Sequence, residues 1–122
     1  MIKLLDKILR IILLFDFYGA LLTKKQQLAI EMHHLNDLSL AEIADELGVT
    51  RQAVHDILKR AEQVLTEYEE KLKFVEKHQR EQQAIQHIYE LIHELPKEVQ
   101  QVPRLRLALQ ELNCLLDYSK EV

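Results

Sequence analysis

The sequence predicts an all-α chain, and three observations carry that prediction. Only two glycines and two prolines occur among 122 residues, too few turn residues for a sheet protein. Apolar residues recur at three- and four-residue steps along most of the chain, the period of one helix face. Charged residues make up 30% and apolar residues 48%, a mixture that suits long helices with one solvated and one buried side. Trp is absent and Phe plus Tyr number seven, so Leu, Ile, Val and Ala must supply the core.

The first helix is expected over residues 2–18, where Ile2, Leu5, Ile8, Leu9, Ile12, Leu13 and Phe15 hold helical spacing. Its segment 11–15 is apolar on nearly every side, the mark of a helix buried on several faces or shared with a partner. Gly19 ends or bends it. Thr23 with Gln26 has the spacing of a capping box and opens a second helix to about residue 35, followed by an Asn36–Asp37 turn. Ser39 with Glu42 forms another capping box, and Leu38 with Ile43 a hydrophobic staple, around a short helix at about 40–47. Gly48 stops that helix, and Thr50 caps the next with Val49 and Val54 as its staple.

From residue 50 to 95 there is neither Gly nor Pro. Val54, Ile57, Leu58, Ala61, Leu65, Tyr68, Leu72 and Val75 continue the helical stripe, so the helix is expected to run well past the motif. Acid-before-base pairs four apart, such as Glu67–Lys71 and Glu69–Lys73, read as a solvated face. The polar run 76–83 is the expected break. A second stripe runs through Ile85, Ile88, Tyr89, Leu91, Ile92 and Leu95 to Pro96. Pro103 then suits the first turn of a last helix with Leu105, Leu109, Leu112 and Leu116 on one side. The expected division is a head at 1–65 and a long C-terminal arm or hairpin at 66–122.

Two capped amphipathic helices joined by a short glycine-bearing turn have the layout of a helix-turn-helix. Ser39, Gly48 and Thr50 are its structural turn residues. At about 100° per residue, the second helix turns Val54, Ile57, Leu58 and Ala61 inward. The candidate nucleic-acid-binding residues on its outer side are Arg51, Gln52, His55, Lys59, Arg60 and Gln63. A glutamine suits adenine, and Arg or Lys suits guanine or phosphate. Charge argues the other way: the net is −4, and residues 21–65 hold five basic against seven acidic residues. Nucleic-acid affinity comes largely from neutralised phosphates, so any contact with DNA or RNA is expected to be weak and local. A plainly solvated helix face is the competing reading of these polar residues.

No HExxH or CxxC and no stacked histidine pair is present, so no metal site and no cofactor are expected. No glycine-rich phosphate loop or catalytic constellation appears, and the chain is expected to be non-enzymatic. Cys114, near the last helix's stripe, reads as a small core residue. A lone cysteine fits a reducing cytoplasm. The apolar run at 8–22 is interrupted by Asp16 and too short for a bilayer, so no membrane insertion is expected. The aromatic stretch FDFYGALL (15–22) reads as a core corner or a subunit contact. Ile8, Ile11, Ile12, Phe15, Leu105, Leu109 and Leu112 are the candidate oligomer-interface residues, with a homodimer expected.

The stretch SLAEIADELGVTRQAVHDILKRAE (39–62) resembles region 4 of bacterial sigma-70 factors. With LLFDFYGALLTKKQ (13–26) and RQAVHDILKRAEQVLTEYEEKL (51–72) added, the chain resembles the YlxM family of small cytosolic proteins of Gram-positive bacteria, over roughly residues 10–78. That resemblance implies a helical, non-enzymatic regulator linked to the signal recognition particle pathway, with components of that particle as partners. It places Arg51, Gln52, His55 and Lys59 at exposed recognition-helix positions, with His55 standing where the family's Tyr is expected. Two alternatives remain beside it: a sequence-specific DNA-binding transcription regulator, and a protein adaptor that has lost nucleic-acid binding.

Overall fold

The computed structural model describes residues 2–116, with the side chains of residues 2 and 3 left aside. Helix α1 (Ile2–Tyr18) ends in a 3₁₀ turn (Gly19–Leu21) and is followed by α2 (Lys24–Ile30). A single π-helical turn (Glu31–Leu35) extends α2, so the second helix reaches its expected end but widens on the way. Helices α3 (Leu40–Leu47), α4 (Arg51–Leu72), α5 (Phe74–His93), α6 (Lys97–Gln100) and α7 (Pro103–Leu115) complete the order, and no strand occurs among the described residues.

The caps explain the short elements. Thr23 and Gln26 make the expected capping box, as do Ser39 and Glu42. Asp37, in the turn before α3, is left-handed at φ 56°, a conformation that Asp tolerates better than most residues. Gly19 serves a close approach: a Cβ there would lie 2.9 Å from ring carbons of Phe15 one turn earlier.

Contacts divide the chain into two units, residues 1–75 and 76–122. The boundary expected at 65 moves because the core of the head continues along α4. Val54, Leu58, Ala61 and Leu65 form one buried line with Ile11, Leu14 and Tyr18 of α1, Ala29 and Ile30 of α2, Ile43 and Ala44 of α3, and Val75. Ile11, named above as an interface candidate, belongs to this core at 6% exposure, because α4 packs along that side of α1. Phe15 is half-buried against the same core, while Ile8 and Ile12 are half-buried.

The long helix breaks at Lys73, not within 76–83. Lys73 is left-handed at φ 55° with no glycine to ease it. The hydrogen bonds around it account for the break. The Tyr18 hydroxyl donates to Glu69 Oε1 at 2.5 Å and accepts from the Phe74 N–H at 3.1 Å. The Val75 N–H donates to the same Glu69 oxygen at 3.1 Å. Two first-turn donors of α5, which a helix start leaves without intrahelical partners, are thereby satisfied by side chains. Glu69 is 6% exposed, so it is a buried acceptor rather than the surface partner expected for Lys73. Tyr18 is sandwiched by Tyr68 and Phe74, with ring centroids 5.9 and 6.3 Å away. Burial, and then the carboxylate it donates to, push the Tyr18 hydroxyl above the ordinary phenol range.

In the second unit, Gln100 closes the turn after α5 by donating to the carbonyls of His93 and Leu95 at 3.0 and 2.7 Å. Pro103 occupies the first turn of α7, as its fixed φ favours. Gln82 Nε2 donates to the Leu115 carbonyl at 2.9 Å and ties α5 to α7 as an antiparallel hairpin. Leu105, Leu109 and Leu112 are half-buried on α7, and Cys114 is exposed rather than in a core, because it lies off their stripe. Of the arm expected at 66–122, residues 117–122 lie outside the described residues.

Candidate nucleic-acid interface

The interface is built from the turn upward. Ser39 Oγ accepts from the Glu42 N–H, and Glu42 Oε1 accepts from the Ser39 N–H, both at 3.1 Å. These bonds, the backbone one first, hold the Glu42 carboxyl below the usual carboxylate range. Gly48 is left-handed at φ 67° and ψ 35°, and the Val49 N–H returns to the Ala44 carbonyl at 3.1 Å. Thr50 Oγ1 then accepts from the Ala53 N–H at 3.0 Å and starts α4. With Ile43 and Val54 fully buried, the two helices are locked across this turn.

Helix α4 therefore has one fixed outer side. Arg51, Gln52, His55, Lys59, Arg60 and Gln63 are all exposed there. The arrangement is not purely cationic. Asp56 sits among them and takes a hydrogen bond from Gln52 Nε2 at 3.1 Å, while His55 Nδ1 lies 3.6 Å from its carboxylate. In the free protein the amide best suited to reading a base is thus engaged by an acid on the same helix.

Helix α1 contributes a residue that sequence reasoning missed. Lys7 shares a hollow with Lys59 and Gln63, which places a third side of the head beside the outer face of α4. Nothing in the local sequence around Lys7 signals this, since it depends on how α1 crosses α4. A cleft of about 830 Å³ adjoins this hollow, with Ile8, His33, His34, His55, Lys59 and Glu62 among its walls. His33 Nδ1 donates to the Leu38 carbonyl at 3.0 Å. His34 Nε2 is buried without a hydrogen-bond partner, and desolvation, followed by His33, holds the His34 imidazole below its ordinary pKa. No cluster of three or more metal-ligating side chains occurs among the described residues, and no described helix is long and apolar enough to cross a membrane.

A short capped helix, a left-handed glycine and a second helix with a buried inner line and a polar outer wall define a helix-turn-helix protein. Comparison with known proteins identifies the group within that class. Residues 5–105 match the family model described as "Putative helix-turn-helix protein, YlxM / p13 like", and the chain belongs to this UPF0122 family. A UPF0122 protein of Symbiobacterium thermophilum is 53% identical over 83 residues, covering 68% of this chain and 78% of that protein. One from Desulforamulus reducens is 54% identical over 83 residues, covering 68% and 71%. One from Bacillus cereus is 42% identical over 110 residues, covering 90% of this chain and all of that protein.

Proposed function

We propose that this chain is a non-enzymatic cytoplasmic regulator whose head docks weakly on nucleic acid, DNA or RNA, through the outer side of α4. One observation carries the reading. Six residues able to bond phosphates or base edges share the exposed wall of a helix whose inner wall is locked into the head. The resemblance to the YlxM family supplies the setting, the signal recognition particle pathway, with components of that particle as partners. The acid excess of the head and the Gln52–Asp56 bond support weak, salt-sensitive affinity rather than tight promoter reading.

The same acid excess favours a second reading, a protein adaptor that keeps the fold without nucleic acid. A pull-down at physiological salt, scored for both nucleic acid and protein, separates the two. The first reading expects nucleic acid to be retained by the wild type and lost by Arg51→Ala/Lys59→Ala. Retention of the particle's GTPase alone, unchanged in the double variant, would establish the adaptor instead.

A further inference from the structure

The junction of α4 and α5 is a break that its own residues do not call for. Neither Gly nor Pro occurs between residues 50 and 95. Yet Lys73 is left-handed at φ 55° and ψ 29°, a backbone that disfavours any residue with a Cβ. Its N–H still obeys the helix and donates to the Glu69 carbonyl at 2.9 Å. The next two donors depart from it. The Phe74 N–H goes to the Tyr18 hydroxyl and the Val75 N–H to Glu69 Oε1, each at 3.1 Å. In an unbroken helix the same two donors would reach the carbonyls of Glu70 and Lys71. The bent and unbroken forms therefore exchange two acceptors for two others. Burial of Val75 favours the bent form, and the backbone of Lys73 favours the unbroken one.

We infer that Tyr18 and Glu69 are a latch on a two-state junction. With the latch closed, α4 ends at Leu72 and Val75 lies in the core. With it open, Lys73 turns right-handed and one helix runs through residues 69–77. Among the described residues of α5, Val75 alone is buried, so little else in that helix opposes the change. The closed form is held from α1: Tyr18 donates to Glu69, accepts from Phe74 and stacks between Tyr68 and Phe74. Phe17, beside Tyr18 with ring centroids 6.3 Å apart, is 37% exposed, and Leu21 is 56% exposed. A contact made at this end of α1 thus has a short route to the junction. Two packings that differ by so few partners form an element that a ligand can bias. The inference stands apart from the nucleic-acid reading, since none of these residues belongs to the outer face of α4.

The test is nuclear magnetic resonance of the full chain, read from Hα(i)–HN(i+3) contacts across residues 69–77 and from the Lys73 Cα shift. The wild type is expected to show the helical series interrupted at Lys73. Tyr18→Phe/Glu69→Leu removes both side-chain acceptors and leaves no unpaired carboxylate behind. It is expected to raise the ratio of unbroken to bent junction on the order of a hundredfold or more and to make the series continuous. Adding Lys73→Gly frees the left-handed backbone and disfavours the helix, and is expected to lower that ratio about thirtyfold. Helix content by circular dichroism accompanies each variant. If the double variant fails to fold, Tyr18→Phe alone is expected to raise the ratio about tenfold, seen as exchange broadening at the amides of residues 73–75. A folded double variant still interrupted at Lys73, a ratio indifferent to Lys73→Gly, or, where only Tyr18→Phe folds, amides without exchange would overturn the inference.

Discussion

The two glycines do different work, and the difference is measurable. Gly48 has open space around a prospective Cβ, so its constraint is the left-handed backbone alone. Gly48→Ala should cost about 1–2 kcal/mol and Gly48→Asn clearly less, as read from urea midpoints. At Gly19 the obstacle is the Phe15 ring, and Gly19→Ala should cost about 1–3 kcal/mol by overpacking, with Asn no better. His34 sets a pH dependence. Its folded pKa lies below the unfolded value, so the unfolded chain binds the proton more readily. The stabilising contribution is complete above the unfolded pKa and is lost as pH falls through the folded one. His33 and Lys7 oppose the charged form, and Glu62 favours it. Urea midpoints should therefore fall between about pH 7.5 and about pH 5, and His34→Phe should flatten that fall; an unchanged slope in the variant would remove His34 as its source. Asp56 acts on function rather than stability. Replacing it by Ala releases Gln52 and removes a like charge from the phosphate field, so nucleic-acid affinity should rise severalfold. The capping residues and Gly48 were legible in the sequence because their effects are local. The pairing of Gln52 with Asp56 is half legible: the four-residue spacing is there, but Gln52 reads as a candidate adenine contact rather than as a partner of its own helix.

At the scale of elements, the α4–α5 break shows where local reasoning stops. A stretch without Gly or Pro reads as one helix, and the polar run 76–83 was the natural place to end it. The structure ends it at Lys73 because a tyrosine from α1, far away in sequence, bonds both Glu69 and the first turn of α5. The periodicity held a clue that charge obscured: Glu69 continues the buried line of Val54, Leu58, Ala61 and Leu65. Its spacing to Lys73 suggested a surface pair instead. The aromatic stretch 15–22 forms a core corner, the first of the two readings its sequence allows, with Tyr18 and Leu22 buried and Phe17 and Leu21 exposed. Tyr18→Phe removes one donor from a buried carboxylate and one acceptor from Phe74, at a cost of about 1–3 kcal/mol. Hydrogen exchange should report it first at the amides of Phe74 and Val75. Unchanged protection there would mean that the break is held by packing alone.

For the molecule as a whole, the helix-turn-helix class was legible from caps and periodicity, and so was the polar wall of α4. The extent of the head was not, since contacts between α1 and the later half of α4 decide it. Nor was the place of Ile11, whose helix is apolar on almost every side and so does not announce which side is buried. The proposed function depends on α4 offering that wall to a polyanion. Fluorescence anisotropy of the full chain with a short DNA duplex and with a structured RNA, over a series of salt concentrations, tests it most directly. Weak binding to at least one of them is predicted, falling with salt, with a log–log slope that drops by about 2 in Arg51→Ala/Lys59→Ala. Affinity and slope identical in the wild type and that variant, or no binding to either probe at the lowest salt, would contradict it.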